Sequence, residues 1–197
     1  MCGRYYVDEK TEEEIRRVVR EIDKNMKIRT GDVRPAEQAV VLTGISAHLT
    51  AEQMTWGFPQ YTGKGLLINA RAETIFEKPT FRDCAEHRRC ILPARHFYEW
   101  NRLKEKAEFC RGDSGVLYMA GVWNRFEDGD RFVVLTTQAN ASVSPVHDRM
   151  PVILEESELR DWVYEEGFAR YILGRTPVLL KRRQEYEQRT LFDFQAQ

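Results

Sequence analysis

Seven short runs of strand-forming residues, none longer than eight, constrain this chain most. They are Gln38–Thr43, Leu49–Trp56, Leu66–Ala70, Arg89–Leu92, Phe97–Trp100, Val116–Trp123 and Arg131–Thr137, bounded by Gly or Pro. Asp128-Gly129-Asp130 separates the last two and reads as a hairpin turn. Helical signals are fewer. Thr11-Glu12-Glu13-Glu14 fits a capping box, and Ile15, Val18, Val19, Ile22 and Met26 follow at the spacing of one helix face. Pro79–His87 reads as a short helix between strands, Ser157–Glu166 as a capped helix continued by Phe168–Leu173, and Val178–Lys181 as a late strand. This mixture predicts an α+β fold: one compact domain around a mainly antiparallel, barrel-like β-sheet with flanking helices. We place that domain at residues 1–184 and a tail at 185–197.

Composition narrows the function classes. Of 197 residues, 42% are hydrophobic and 31% charged, enough apolar material for a core and unlike a disordered chain. Thirty basic residues balance 31 acidic ones, for a net charge of −1. This excludes a globally basic nucleic-acid coat but allows a local basic groove. No run of about 18 apolar residues is present, so no membrane span is expected. The residues after Met1 lack the apolar core of a signal peptide, and four cysteines are too few for a disulfide scaffold. The expectation is a cytoplasmic protein with reduced thiols, and monomer is the default.

Several positions carry chemically useful groups. Removal of Met1 would leave Cys2 with a thiol and an α-amine on one carbon. That amine has an ordinary pKa of about 7.7–8.0 and is partly neutral at physiological pH. A 1,2-aminothiol condenses with an aldehyde and closes to a thiazolidine, or it acts as a nucleophile on an amide. Asn69 and Arg71 follow the apolar run Leu66-Leu67-Ile68, the first with donor and acceptor, the second with a fork for phosphate. Phe97 and Glu99 share one strand face, Tyr98 and Trp100 the other. A Glu among rings tends towards a raised pKa, suited to proton transfer near neutrality. His147 sits in a loop stiffened by Pro145 and Pro151. Cys84, His87 and Cys90, with His96 or Cys110, do not follow a standard zinc spacing and are crowded by Arg82, Arg88 and Arg89, so no metal is expected. Taken singly, each feature has an ordinary structural explanation: a Cys after the start residue, a strand-end turn, a solvated Glu, an incidental His.

Together they form an ordered series. Met1-Cys2-Gly3-Arg4, Trp56-Gly57-Phe58-Pro59, Asn69-Ala70-Arg71-Ala72-Glu73-Thr74 and Arg89-Cys90-Ile91-Leu92-Pro93-Ala94 come first. Phe97-Tyr98-Glu99-Trp100, Ala120-Gly121-Val122-Trp123, Leu135-Thr136-Thr137-Gln138-Ala139-Asn140 and His147-Asp148-Arg149-Met150-Pro151 complete it. The series resembles the SRAP family, the SOS-response-associated peptidase-like proteins that process abasic sites, from residue 2 to about residue 165. The resemblance implies a covalent crosslink to abasic sites in single-stranded DNA, made as a thiazolidine by the mature N-terminal Cys2. It implies catalytic roles for Cys2, Asn69, Glu99 and His147, phosphate contacts from Arg4 and Arg71, and neither metal nor cofactor. Two segments depart from the family pattern: Gly31–Gln38 keeps only Pro35 and Gln38 of an Asn-x-Ala-Pro-Thr-Gln-like stretch, and Arg95-His96 replace the usual Asp-Gly. Arg95 is expected either to contact phosphate or to face solvent.

On this reading Arg34, Arg82 and Arg149 are further candidates to line the DNA groove, and Trp56 and Phe58 are candidates to stack on bases. Gln188-Arg189-Thr190-Leu191-Phe192 looks like the peptide that bacterial sliding clamps bind, and association with the nucleoid during DNA damage would follow. Two alternatives stand beside this reading, the first with the same site residues and the second with Cys2 incidental. One is a cysteine hydrolase with Cys2 as nucleophile and His147 as base. The other is a non-catalytic single-strand or clamp-binding module.

Overall fold

The computed structural model describes residues 2–19, 22–23, 26–45 and 48–184. The chain runs β1 (Tyr5–Val7), α1 (Glu9–Val18), β2 (Gly31–Val33), β3 (Gln38–Ile45), β4 (His48–Trp56), β5 (Phe58–Pro59), β6 (Leu66–Leu67), β7 (Asn69–Arg71) and α2 (Pro79–His87). It continues with β8 (Arg89–Ala94), β9 (His96–Trp100), β10 (Lys106–Cys110), β11 (Leu117–Phe126), β12 (Gly129–Gln138), β13 (Arg149–Pro151), β14 (Ile153–Leu154), α3 (Leu159–Tyr164), α4 (Glu166–Leu173) and β15 (Lys181–Gln184). The expected α+β class and barrel-like, mainly antiparallel sheet are both present. β3, β4, β12, β11 and β8 pair in sequence, and β8 pairs back to β3, which closes a five-strand barrel. Only the β4–β12 step of that ring is parallel. Closure removes the open edges that sheets otherwise expose.

Apolar alternation fills the barrel. Trp56 is fully buried and lies 5.3 Å from the Tyr5 ring and 6.0 Å from the Phe132 ring. At Gly121 a Cβ would stand 2.6 Å from Leu92 Cδ1 and 2.9 Å from the Val133 carbonyl oxygen, so only glycine fits where these strands approach. Trp162 plugs one side, its indole N–H donating to the Cys90 carbonyl at 2.9 Å. The buried Arg89 guanidinium donates to the carbonyls of Ala85, Glu86, Trp162 and Val163 at 2.6–3.0 Å, capping the ends of α2 and α3 at once.

A second, five-stranded sheet, in the order β15-β10-β9-β1-β2, packs beside the barrel through Tyr5 on Trp56. The sequence reading missed β1, β2, β5, β10, β13 and β14, all only two to five residues long. Other elements shifted. Asp8, not Thr11, caps α1, accepting from the Thr11 N–H at 2.8 Å. That helix ends at Val18, so Ile22 and Met26 reach the core from beyond it. Glu155 rather than Ser157 caps the turn before α3, through a reciprocal capping box with Glu158. The late strand spans Lys181–Gln184 instead of Val178–Lys181, because its partner is β10. The hairpin turn is Glu127-Asp128, with Gly129 (φ +120°) already paired to Phe126. Among the described residues no helix is long and apolar enough to cross a membrane. Residues 185–197, with the clamp-like peptide, lie outside the described residues.

Candidate functional site

Short strands from both sheets converge at the start of the chain. Cys2, just before β1, is fully buried, with Sγ 3.9 Å from the Arg4 carbonyl. Asn69 opens β7, which lies parallel to β12 and so reaches the barrel rim. Its Nδ2 donates to the Cys2 carbonyl at 3.0 Å, while its buried Oδ1 has no hydrogen-bond partner. Glu99 sits on the inner face of β9 in register with Ala107, and is 2% exposed. Alternation turns Tyr98 and Trp100 to the opposite face, as the sequence pattern predicts.

Electrostatics follow from this packing. Burial pushes the Cys2 thiol far up, and the nearby Glu99 charge adds to that. Burial also raises Glu99 to about 7, with the chain's positive amino terminus opposing and the Asp148 charge reinforcing. Both forms of this carboxyl are therefore populated near neutral pH. Beside Cys2, Tyr5 buries its hydroxyl without a hydrogen-bond partner, and burial followed by the Cys2 charge pushes its pKa well up. The sequence reading had assigned Tyr5 no place here, because a Tyr on a three-residue strand looks like any core ring.

His147 stands on the wall of a 670 Å³ cleft. One wall is the loop Ser144–Asp148, the other the β9–β10 turn with Trp100, Asn101, Arg102 and Leu103. Burial lowers the His147 pKa, and the amino terminus lowers it further, so the neutral ring is favoured. The Arg149 N–H donates to Nδ1 at 3.0 Å, which leaves the ring proton on Nε2. The Asp148 carboxylate, 3.0 Å from the same Nδ1, pairs with it only when the ring is protonated. The cleft carries Trp100 on one wall and His147 on the other, and the charge of the amino terminus acts on both His147 and Glu99.

The predicted DNA-contact residues divide. The Arg4 guanidinium lies over the Tyr98 and Trp100 rings, 5.8 and 5.3 Å from their centroids, and 3.5 Å from Asp32. Arg34 meets the same Asp32 at 3.5 Å and is exposed. Arg71 is exposed at the end of β7, with no ion pair among the described residues. Arg4 and Arg34 thus share a single carboxylate, and Arg71 is paired with none among the described residues. Arg82 is exposed on α2. The structure corrects three expectations. Trp56 is wholly buried, its N–H donating to the Ile68 carbonyl at 2.8 Å, so it has no face for a base. Phe58 is 1% exposed, packed on Phe81 and Phe126. Arg149 is held by both Glu73 oxygens at 2.6 and 2.7 Å and by the Thr136 carbonyl at 2.6 Å, which takes it away from phosphate. Half-buried Trp100, already in the Phe-Tyr-Glu-Trp motif, is the aromatic ring at the cleft instead. Arg95 does neither of the two things expected of it: it pairs with Asp8 at 3.4 Å and donates to the Ser114 carbonyl.

Cys84, Cys90 and Cys110 are buried free thiols. Among the described residues no group of three or more His, Cys, Asp or Glu side chains is placed to hold a metal ion.

Comparisons with known proteins agree with this arrangement of motifs. The abasic site processing protein YoqW of Bacillus subtilis is 32% identical over 146 residues, 67% of this chain and 65% of that protein, so the match spans slightly less than two thirds of the relative. The abasic site processing protein YedK of Escherichia coli is 28% identical over 179 residues, 84% of this chain and 81% of its own. A crystal structure of a protein from Bordetella bronchiseptica superposes with a TM-score of 0.78 at 23% identity, covering 94% of this chain and all of the other, which shows the shared fold. The family model for SOS response associated peptidase (SRAP) matches residues 1–188, and the chain belongs to that family.

Proposed function

We propose that this protein processes abasic sites in single-stranded DNA by crosslinking itself to them through Cys2. The observation that carries this reading is a buried Cys2 tethered by Asn69 and charge-coupled to a carboxyl that titrates near neutrality. The names of the related proteins point to the same substrate.

The chemistry is as follows. Removal of Met1 frees the Cys2 α-amine, which adds to C1′ of the ring-opened sugar aldehyde. As the sugar ring opens, the hemiacetal hydroxyl proton passes to the ring oxygen, and neutral His147 steadies that oxygen with a hydrogen bond from Nε2–H. Protonated Glu99 gives its proton to the carbinolamine hydroxyl, which leaves as water and yields the protonated imine, with Glu99 now a carboxylate. The thiol then adds to C1′ as its proton returns to the Glu99 carboxylate, the nitrogen takes back the C=N electron pair, and the thiazolidine closes with Glu99 regenerated. The sum is aldehyde plus aminothiol giving thiazolidine and one water, with no cofactor. Asn69 fixes the Cys2 main chain and offers its unpartnered Oδ1 to the amine or the sugar, a positioning role. An imine that fails to close is open to β-elimination, so lyase chemistry is latent in the same site. Arg4, Arg34 and Arg71 grip phosphates without reading sequence, and Trp100 stacks on a base beside the lesion. One chain carries every group, so a monomer suffices in the cytoplasm, at the nucleoid when DNA is damaged. Gln188–Phe192 would tether the protein to a sliding clamp; unchanged clamp binding after deletion of Leu191–Gln197 would end that idea.

Intact mass spectrometry tests the reading. The expected result is loss of Met1 and a stable adduct with single-stranded DNA carrying one abasic site. Cys2→Ala should form no adduct, and Cys2→Ser only a labile one. A processed Cys2 with no adduct overturns the reading and favours an amide hydrolase. Full protection of the lesion by Cys2→Ala would make the protein a binding module instead.

A further inference from the structure

We infer that Asn140 is a positioning residue for His147, acting by latching the His147 loop to the segment that leads into β15. The inference rests on the abasic-site reading only for the reaction that His147 serves. The latch itself is geometry.

The loop is closed at its base where the Ala139 N–H donates to the Asp148 carbonyl at 2.9 Å and Gln138 pairs with Arg149. Inside it, the Asn140 carbonyl accepts from Val143 and Ser144, and the Val143 carbonyl accepts from Val146 and His147, at 2.9–3.1 Å. Two linked turns thus carry the His147 backbone from Asn140. The Asn140 side chain is buried and uses its full capacity of two donors and two acceptor sites. Its Nδ2 donates to the carbonyls of Pro177 and Val178, both at 2.9 Å. Its Oδ1 accepts from the Ser142 N–H at 3.0 Å and the Ser142 hydroxyl at 2.6 Å. Ser142 Oγ in turn accepts from the Leu180 N–H at 3.0 Å.

The latched segment continues directly into β15, which pairs with β10. β10 pairs with β9, and their connecting turn forms the opposite wall of the cleft. One stretch of chain is therefore bonded to the His147 loop at residues 177–180 and, at 181–184, to β10, the strand that leads from the Trp100 wall. The width of the cleft between His147 and Trp100 depends on both attachments. A catalytic group displaced by about 1 Å loses up to about a hundredfold in rate. Loss of the latch should therefore reach the chemistry although Asn140 lines no part of the cleft.

The test uses the full-length protein and two readouts. One is the crosslinking rate on single-stranded DNA with an abasic site, followed from pH 5 to 9. The other is the NMR titration of the His147 imidazole without DNA. Asn140→Ala should slow crosslinking roughly tenfold to a hundredfold, with the His147 titration moving back up towards an ordinary histidine. Combined with His147→Ala it should add little, since both act through one group. Asn140→Asp, which keeps the acceptors but sets a carboxylate against two carbonyls, should not rescue the rate. If Asn140→Ala does not fold, Ser142→Ala removes the Leu180 bond and the hydroxyl bond to Asn140 Oδ1 but leaves the Asn140 bonds to Pro177 and Val178, and it should shift both readouts the same way by less. An unchanged His147 titration together with an unchanged rate in the folded variants overturns the inference. A wild type that makes no adduct overturns the abasic-site reading instead, while the His147 titration still decides whether the latch holds.

Discussion

The barrel and the five-stranded sheet bury polar groups on opposite terms. Around the barrel three large buried polar side chains have backbone partners: Arg89 holds four carbonyls, Trp162 one and Trp56 one. Where the sheet meets the barrel, Cys2, Glu99, Tyr5 and Asn69 are packed with raised pKa values or with Tyr5 Oη and Asn69 Oδ1 unpartnered. An unsatisfied buried polar atom costs about 1–3 kcal/mol, so the second region gives up stability that the first supplies. The contrast separates residues that hold the fold from residues held by it, and substitutions on the two sides should behave differently.

The largest effect on stability belongs to the barrel. Phe132→Ala removes a wholly buried ring stacked on Trp56, and chemical denaturation should show a loss of about 3–5 kcal/mol. While the variant stays folded, crosslinking should change little. A loss under about 1 kcal/mol would mean that the barrel is not the stability reservoir assumed here.

Glu99→Gln should do the reverse. Crosslinking should fall by roughly a hundredfold or more, the scale of a lost proton-transfer group. Stability should hold or rise, because a carboxyl disfavoured by burial is replaced by a neutral amide. Linkage gives a sharper form. Its native pKa, about 7, exceeds the ordinary 4.5, so the native state binds more protons between these values. That contribution is complete below about pH 4.5 and is lost as pH rises through about 7. Melting temperatures measured across this window should show a decline in the wild type that Glu99→Gln removes. If Glu99→Gln instead costs as much as Phe132→Ala, the distinction between the regions fails.

The smallest effect lies on the surface. Arg71→Ala should leave the melting temperature unchanged and lower the salt slope of single-stranded DNA binding by about 0.7, the share of one phosphate contact. An unchanged slope would remove Arg71 from the DNA surface.

Sequence patterning located most strands, because alternation and Gly/Pro punctuation are local. It missed short strands such as β1, β2 and β10, whose pairing rather than composition makes them strands. It misplaced the α1 cap by three residues, because Asp8 and Thr11 are both good capping residues and only the backbone path chooses between them. The shift of β15 has the same origin in a distant partner.

The site divides along a similar line. The ordered motifs alone single out the family and pick Cys2, Asn69, Glu99 and His147, since those residue types and their order are written in the chain. What only the tertiary structure decided is which neighbours those motifs meet. Trp56 faces Phe132 across 76 positions, and Arg149 finds Glu73 across another 76. Those contacts take one aromatic and one cation out of the expected DNA surface, leaving Trp100 at the cleft with Arg4 over its ring. Alternation reports that two faces exist, but which one a second sheet covers depends on long-range packing. A charge, likewise, is free for phosphate only if no distant carboxylate claims it first.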